Sequence, residues 1–434
     1  MTRVHLMGIG GSGVSALARV YRARGDEVTG CDVKESDVTW ALEDAGVRVS
    51  IGHDPEHVLK CDRLVFGRAT TQEGAAEIEA GRAMGVEVLT HAEALAALLT
   101  GVDSIGVAGS AGKTTITHMI GTILVEDGRN PTVLVADGAN VRVGSSSWLV
   151  AELDESDRSL VQHHPKHALV SNIDFDHADH YKDVDDVASV FQEFLVRLDG
   201  SGVAVVCADD ARAAALRTNA RRVTYGFAPE ADYRCGRERP FPIHHDGREL
   251  GRINLQPPGW HNVENATGAA AMALELGVSF PVVASALGSF TGARRRMERL
   301  GVFQGALVYD DYAHHPAKVR AALQAARELR HRRLIVVFQP HRYTRLAALL
   351  PEFARAFEDA DRVLIVDVYA AGEDNPTGIS ARDLADQMPR GLYVGDFESA
   401  RTALEELVGR DDLVLLMGAG DIREKLGDEL AQKI

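Results

Sequence analysis

Two glycine-rich loops are the first features of this sequence whose residue types and spacing indicate chemistry. The first reads GIGGSG, and its candidate contacts are Gly8, Gly10, Gly11, Ser12 and Gly13. Glycines in such a loop let backbone N–H groups at a helix N-terminus approach a pyrophosphate. Asp32 follows the next apolar run, where a dinucleotide-binding fold places the acid that contacts a ribose. The loop therefore predicts a diphosphate site and leaves open which nucleotide carries it.

The second loop, in the stretch GVAGSAGKTT, indicates a nucleoside triphosphate site. Its candidate contacts are Gly109, Ser110, Ala111, Gly112, Lys113, Thr114 and Thr115. The backbone can surround phosphates, the Lys113 ammonium can neutralise them, and the Thr114 hydroxyl can bind Mg²⁺. Val107 replaces the first glycine of the longer phosphate-loop pattern, so this loop has the shorter GxxGKTT form. The apolar run before it and the helical pattern after it favour a phosphate site over a chance turn.

Polar residues after two later apolar runs are candidates for binding a metal beside those phosphates. Glu152 ends the run SSWLVAEL, and parallel sheets place ligands at such strand ends. Asp154 and Asp157 follow, and they could equally cap and charge the next helix. His177 comes after the run HALVSNID and is a second candidate ligand, against the alternative of an ordinary hydrogen-bonded histidine.

Three further polar clusters follow apolar runs in the last third of the chain. VYDDYAHHP carries Tyr312 and His314, and His314 could position or deprotonate an amine or could pack at a helix start. FQPHRYTR places Arg342 and Arg345 one helical turn apart, a spacing that suits binding of a carboxylate or phosphate. MGAGDI adds a third glycine-rich turn. Three clusters at successive strand ends predict a shared cleft.

The elements that must position these residues alternate between strand-like and helix-like runs. This pattern predicts an α/β fold with parallel sheets and helices on their faces. The rhythm of strands divides the chain into three blocks, 1–100, 101–297 and 298–434. Within the second block, RRVTYGF and RELGRINLQ are predicted to be antiparallel strands.

Composition limits the class of protein. The formal net charge of −16 argues against general nucleic-acid binding, and no apolar run has the roughly 20 residues of a membrane span. The four cysteines have no CxxC spacing and are predicted to be reduced, mostly buried thiols. With no signal-peptide pattern at the N-terminus, we expect a cytoplasmic protein without membrane insertion, and monomer or homodimer stays open.

Taken in order along the chain, these motifs resemble those of the Mur ligases of bacterial cell-wall synthesis. The resemblance covers nearly the whole sequence and includes GIGGSG, GKTT, ELDESD, SNIDFDH, GWHNVENATGAAA, DDYAHHP and FQPHRYTR. It implies an N-terminal Rossmann-like domain for a UDP-sugar, a central P-loop-type ATPase domain and a C-terminal Rossmann-like domain for an amino acid. The implied reaction is ATP-dependent ligation of L-alanine to the lactyl carboxylate of UDP-N-acetylmuramate, through an acyl phosphate, in peptidoglycan precursor synthesis.

The resemblance also implies a role for each candidate residue. Lys113 and Thr114 would bind the ATP phosphates and Mg²⁺, Glu152 would bind the same Mg²⁺, and His177 would bind a second magnesium ion. Asn262 and Asn265 lie in the stretch that resembles the adenine contact, and Arg295 would reach the nucleotide phosphates. The carboxylate of the sugar and the amino acid would be surrounded by Tyr312, His314, Arg342 and Arg345. Ser110 and Ala111 depart from the family pattern, which usually reads THGKTT, so the histidine that would precede Gly112 is missing here.

Three alternatives make different predictions. A nicotinamide-dependent oxidoreductase would use GIGGSG and Asp32 but leave GKTT without a role. A non-catalytic nucleotide-binding relative would bind ATP without turnover. A sister ligase would attach a peptide to the same sugar nucleotide, although FQPHRYTR resembles the alanine-adding branch.

Overall fold

The structure is a computed structural model that describes residues 1–70, 72–135, 141–175, 180–375 and 377–431. The candidate ligand His177 lies outside the described residues. Contacts divide the chain into two compact units, one formed by residues 1–254 and 264–289, the other by residues 255–263 and 290–434. Within the described ranges, no helix combines the length and the apolar character needed to cross a bilayer.

The first sheet lies in the first unit and is parallel throughout, in the order β3-β2-β1-β4-β5. Its strands are β1 (Arg3–Met7), β2 (Glu27–Asp32), β3 (Arg48–Ile51), β4 (Arg63–Phe66) and β5 (Glu87–Thr90). The helices of this region are α1 (Ser12–Ala23), α2 (Asp37–Asp44), α3 (Ala75–Ala83) and α4 (His91–Leu99), with 3₁₀ turns at Pro55–Lys60 and Arg68–Thr70. Helix α1 buries Val14, Leu17, Ala18 and Tyr21, the spacing of one helix face.

The second sheet also lies in the first unit and has the order β14-β13-β12-β11-β10-β9-β6-β8-β7. Its strands are β6 (Asp103–Ala108), β7 (Thr132–Leu134), β8 (Trp148–Glu152), β9 (His167–Val170), β10 (Val203–Cys207), β11 (Arg221–Gly226), β12 (Tyr233–Cys235), β13 (Phe241–His245) and β14 (Arg248–Ile253). The helices that follow in the chain are α5 (Lys113–Glu126), α6 (Val184–Val196), α7 (Ala211–Ala215), α8 (Trp260–Glu275) and α9 (Phe280–Ser289), with a 3₁₀ turn at Ser159–Gln162. Strand β6 is apolar and almost wholly buried because it lies between β8 and β9.

The prediction that RRVTYGF forms an antiparallel strand is wrong. That segment is β11, which pairs in parallel with both β10 and β12. The short helix α7 returns the chain across the sheet after β10, and such a crossover leads to a parallel neighbour. The antiparallel part consists of β12, β13 and β14, so the prediction for RELGRINLQ is confirmed.

The third sheet lies in the second unit and has the order β15-β16-β20-β17-β18-β19, with β15 antiparallel to β16. Its strands are β15 (Glu298–Phe303), β16 (Ala306–Asp311), β17 (Leu334–Phe338), β18 (Arg362–Val366), β19 (Gly391–Gly395) and β20 (Leu413–Met417). Its helices are α10 (Pro316–Glu328), α11 (Tyr343–Ala348), α12 (Leu350–Ala356), α13 (Ala381–Asp386), α14 (Phe397–Leu407) and α15 (Asp428–Leu430), with a π-helical turn at Arg423–Gly427. The three sheets confirm the predicted α/β class.

The helices begin in two different ways. A side chain accepts a hydrogen bond from the first turn of α2, α4, α6 and α14, and the capping residues are Ser36, Thr90, Asp183 and Asp396. By contrast, the residue in the capping position before α1 is Gly11, and the one before α5 is Gly112. Glycine offers no capping oxygen, so these two helices leave first-turn N–H groups for another partner.

Candidate functional site

The first glycine-rich loop connects β1 to α1 and is hydrogen-bonded to the end of β2. The N–H of Gly8 donates to the Cys31 carbonyl at 2.8 Å, and the N–H of Gly10 donates to Asp32 Oδ2 at 2.8 Å. A Cβ atom on Gly13 would lie 2.7 Å from His91 Nε2, so the loop passes very close to the start of α4. The predicted contact Asp32 thus supports the backbone of the loop.

A cleft of about 770 Å³ opens over this loop within the first unit. All the predicted contacts of the first loop line it: Gly8, Gly10, Gly11, Ser12, Gly13 and Asp32. Glu152, the last residue of β8, and Asp154, just after that strand, line the same cleft. A ligand bound at the first loop would therefore extend toward the predicted metal ligand.

The second glycine-rich loop lies between β6 and α5, as predicted. Gly109 has φ +139° and Gly112 has φ +89°, backbone conformations that side chains disfavour. A Cβ atom on Gly112 would lie 2.5 Å from Asn265 Oδ1, which places this predicted contact directly against the loop.

The end of the neighbouring strand β9 holds the second loop in place. The N–H of Ala111 donates to Asn172 Oδ1 at 2.9 Å, and Ser171 Oγ donates to the Ala111 carbonyl at 2.6 Å. The hydroxyl of Ser110 accepts from the N–H of Asp174 at 2.9 Å. Ser110 and Ala111, the two departures from the family pattern, are therefore built into a well-bonded loop.

The side chain of Lys113 is only 13% exposed and is ion-paired. Its Nζ donates to Glu155 Oε2 at 2.6 Å and to the Gly109 carbonyl at 2.7 Å. Burial opposes the charge on Lys113, but Glu155, Asp154 and Glu152 outweigh it and raise the pKa of the ammonium group. Lys113 is consequently positive at neutral pH and is held at the loop by Glu155.

The two predicted metal ligands that the structure describes are adjacent. Thr114 Oγ1 donates to Glu152 Oε2 at 2.9 Å. Val107 and Glu152 are register partners of β6 and β8, so the pairing of these strands sets the contact. Asp154 accepts from the N–H of Ser156 and Asp157 from that of Ser159, both at 3.0 Å, so both acids form hydrogen bonds in the turns that lead into the 3₁₀ turn at Ser159–Gln162.

Tyr312 and His314 follow β16 in the second unit. His314 Nδ1 lies 2.8 Å from the Tyr312 carbonyl, which fixes the ring. Because a carbonyl only accepts, Nδ1 carries the proton of a neutral His314 and Nε2 is the basic nitrogen. The preceding Asp310 is buried, and burial raises its pKa to about 6 against the lowering effect of Arg295 and Arg423.

The guanidinium of Arg295 forms hydrogen bonds within the second unit. It donates to the Gly418 carbonyl at 2.7 Å and to the Gly420 carbonyl at 3.2 Å, both in the turn MGAGDI. It also lies over the Tyr312 ring, with 5.0 Å between Cζ and the ring centroid. Asn262, the other predicted nucleotide contact in this unit, lies on α8 and donates to the Pro258 carbonyl at 2.6 Å.

Arg342 and Arg345 lie at the start of α11, after β17. Arg342 has φ +70° and faces Glu373 at 3.5 Å, while Arg345 Nη1 lies 3.3 Å from His341 Nδ1. Burial, together with Arg345 and Arg342, lowers the pKa of His341 to about 4. At neutral pH the positive charge of this cluster therefore lies on the two arginines.

Sequence reasoning missed three residues that shape the site. Glu155 was visible in ELDESD and Asn172 in SNIDFDH, but their contacts with Lys113 and Ala111 depend on strand order. His91 follows β5, and no local sequence pattern indicated that it lies close to Gly13. A polar residue at the end of a strand beside β6 was the available signal for Asn172.

Family models match three parts of the chain. The matches are "Mur ligase family, catalytic domain" over residues 3–102, "Mur ligase middle domain" over 139–273, and "Mur ligase, glutamate ligase domain" over 295–420. Residues 103–138, which carry the second loop, fall between the first two matches.

Individual relatives match over nearly full length. The chain is 38% identical to UDP-N-acetylmuramate–L-alanine ligase from Geotalea daltonii, with 100% of this chain and 98% of that protein covered. It is 40% identical to the ligase of the same name from Sorangium cellulosum, with coverage of 96% and 94%. A solved UDP-N-acetylmuramate-alanine ligase from Thermotoga maritima matches with a TM-score of 0.80 at 26% identity, covering 98% of this chain and 97% of that one.

Proposed function

Because this chain belongs to the Mur ligase family, we propose that it joins L-alanine to the lactyl carboxylate of UDP-N-acetylmuramate at the expense of ATP. The observation that supports this reaction is the cleft of the first unit. Gly8, Gly10, Gly11, Ser12 and Gly13 line it together with Glu152, and Glu152 is hydrogen-bonded to Thr114 of the second loop. A diphosphate site and a triphosphate site therefore meet at one carboxylate.

The chemistry follows from what an amide bond requires. A carboxylate is a poor electrophile, so ATP first phosphorylates the lactyl carboxylate of the sugar nucleotide. Lys113 neutralises charge on the transferring phosphoryl group, and the N–H groups at the start of α5 bind its oxygens. The alanine amine then attacks the acyl phosphate, a C–N bond forms, and inorganic phosphate leaves.

The residues at the second loop suit a magnesium ion. Thr114 and Glu152 offer a hydroxyl and a carboxylate, the oxygen donors that Mg²⁺ prefers, and His177 is the proposed ligand of a second magnesium ion. Bound there, magnesium would spread the phosphate charge and lower the barrier to transfer. The phosphates of ATP would compete with the Glu155 carboxylate for the Lys113 ammonium.

We assign the amino-acid step to the second unit. Arg342 and Arg345 would bind carboxylates, because planar guanidinium groups match them in shape and charge. His314 would accept a proton from the alanine ammonium group through Nε2, while Tyr312 fixes its ring. Arg295, Asn262 and Asn265 remain the proposed nucleotide contacts. The proposed domain limits stay at 1–100, 101–297 and 298–434.

The test is phosphate release from ATP by the purified full chain with Mg²⁺, omitting UDP-N-acetylmuramate and L-alanine in turn. Release that requires both substrates is the expected result. Release with a short peptide in place of alanine would instead identify a peptide-adding ligase. Tight binding of the sugar nucleotide without phosphate release for any amine would contradict the proposed catalysis.

A further inference from the structure

A second group of metal-ligating side chains lies in the core of the first sheet, away from the second loop. His5 on β1, Cys31 on β2, His57 in the 3₁₀ turn and Glu77 on α3 each direct a donor atom to one point, and the four donor atoms lie within 4.8 Å of one another. The side chains of Glu77 and His5 are 0% and 3% exposed. Nothing in the proposed ligase reaction uses them.

The distances between these donors match those around a small tetrahedral ion. Zinc binds nitrogen, oxygen and sulfur at about 2.0–2.3 Å, so the edges of its coordination tetrahedron are about 3.3–3.8 Å. Here His57 Nδ1 lies 3.3 Å and Cys31 Sγ 3.7 Å from Glu77 Oε1, and His5 Nε2 lies 3.4 Å from Cys31 Sγ. Of the six edges, a further one, from His5 Nε2 to Glu77 Oε1, is 3.0 Å and would lengthen slightly around an ion, and every pair of donor atoms lies within 4.8 Å.

Neighbouring groups already orient the donors. Thr29 Oγ1 lies 2.8 Å from His5 Nδ1, which leaves Nε2 facing the cluster. The N–H of Asp54 donates to Glu77 Oε2 at 3.2 Å, which leaves Oε1 facing His5 and His57. Such outer contacts are typical of residues that hold metal ligands.

One donor has no hydrogen-bond partner among the described residues. His57 Nδ1 is buried and makes no hydrogen bond, although Glu77 Oε1 is 3.3 Å away. A buried polar nitrogen without a partner costs stability, and a cation between the two atoms would satisfy both.

The charges also suit a divalent transition metal. Despite burial, His5, His57 and His53 lower the pKa of Glu77, so its carboxylate is negative. Burial and Glu77 raise the pKa of the Cys31 thiol, which therefore keeps its proton until a cation displaces it. One dication, one carboxylate and one thiolate give a neutral buried group, and sulfur and imidazole ligands select zinc-type ions over magnesium.

We propose that His5, Cys31, His57 and Glu77 form a structural site for a zinc-type divalent ion. Binding forms the metal–sulfur bond with release of the Cys31 proton to solvent. The site would stabilise the first glycine-rich loop, because the Cys31 carbonyl accepts from the N–H groups of Gly8 and Ile9 at 2.8 and 3.1 Å.

The experiment uses full-length protein stripped of metal with a chelator and then titrated with Co²⁺ in excess Mg²⁺. Cobalt bound to a thiolate gives a near-ultraviolet charge-transfer band, with strong visible bands in tetrahedral geometry, and the proposed magnesium sites, which contain no thiolate, cannot give the charge-transfer band. The expected result is saturation at one Co²⁺ per chain and loss of the bands on addition of Zn²⁺. Cys31→Ser should abolish the charge-transfer band.

Two cysteine variants are matched controls. Cys61→Ser changes a nearby half-buried thiol outside the cluster, and Cys207→Ser changes the thiol of a separate Cys207, Asp209 and Glu264 group. Both should keep the band. If Cys31→Ser fails to fold, His57→Gln should fold and bind Co²⁺ at least tenfold more weakly. A folded wild-type protein without the band, a band that survives Cys31→Ser, or one lost in Cys207→Ser would overturn the proposal.

Discussion

The two glycine-rich loops of the first unit have the same backbone design and different charges. Each follows a parallel strand, and each leads into a helix with glycine in the capping position. The first loop has a carboxylate, Asp32, bonded to its backbone, whereas the second has the Lys113 ammonium and the Thr114–Glu152 pair. We infer that the backbone of each loop binds a phosphate and that the side chains determine whether this phosphate is held or transferred.

Lys113→Ala tests this difference most severely. Loss of the ammonium should lower kcat by about 10³-fold, because charge on the transferring phosphoryl group would lose its counter-charge. Binding of UDP-N-acetylmuramate, measured by calorimetry, should stay unchanged because the first loop is intact. Lys425→Ala, at an exposed lysine of the second unit, is the control. Activity close to wild type in Lys113→Ala would refute the assignment of the second loop.

Alanine substitutions at one glycine of each loop should separate the two sites. A Cβ on Gly13 would press on His91 and one on Gly112 on Asn265, with the added strain of φ +89° at Gly112. Gly13→Ala should raise KM for the sugar nucleotide about tenfold and Gly112→Ala should raise KM for ATP by at least as much, at about 1.4 kcal/mol per factor of ten.

Gly85→Ala is a matched control for the strain alone. Gly85 has φ +75° and nothing within 4 Å of its Cβ position, so both KM values should stay unchanged. If Gly13→Ala and Gly112→Ala raised the same KM, the two loops would not have separate ligands.

Glu155→Gln refines the comparison, because it removes the charge that Lys113 pairs with before ATP binds. We expect the dissociation constant for ATP to fall several-fold, since the phosphates no longer compete with a carboxylate. The unfolding temperature of the nucleotide-free protein should fall as well, because a buried ammonium loses its ion pair. Weaker ATP binding with an unchanged unfolding temperature would show that Glu155 acts on the bound nucleotide instead.

Glu264 is also buried, but unlike Lys113 it avoids a buried charge by keeping its proton. Burial and the neighbouring Asp209 raise the pKa of Glu264 to about 8, so it is protonated near neutral pH. The unfolded chain loses this proton near pH 4.5, so the contribution of Glu264 to stability falls as pH rises from there through 8.

Glu264→Gln should flatten that dependence and gain stability relative to wild type between pH 5 and 9. The gain should be on the order of a few kcal/mol, at about 1.4 kcal/mol per pKa unit. Unfolding temperatures of both proteins across this range are the measurement. Parallel curves would show that Glu264 is ionised in the folded protein.

Sequence patterns predicted those strands, turns and helices that are determined by residues adjacent in the chain. The apolar run that leads into GKTT was enough to predict β6, the second loop and α5, because the strand, the glycine turn and the helix are adjacent in sequence. The pairing direction of β11 was not predictable, since it depends on the return path of α7. The strand β13 was missed because Pro242 and two histidines break its apolar alternation.

Contacts between distant segments account for the missed site residues. Glu155 and Asn172 contact the second loop because β8 and β9 both flank β6, a strand order that the sequence does not reveal. His5, Cys31, His57 and Glu77 are unremarkable individually, and strand pairing with the packing of α3 brings them together.

The glycines in the capping positions of α1 and α5 have a consequence for how the protein is handled in solution. A capping side chain stabilises a helix by about 1 kcal/mol, and these two helices forgo it. The phosphates of the two nucleotides would supply the missing acceptors, so each ligand completes a helix as well as filling a site. Resistance to heat, proteolysis and amide exchange at the first turns of α1 and α5 should therefore rise with nucleotide concentration, which makes the substrates part of the folding equilibrium.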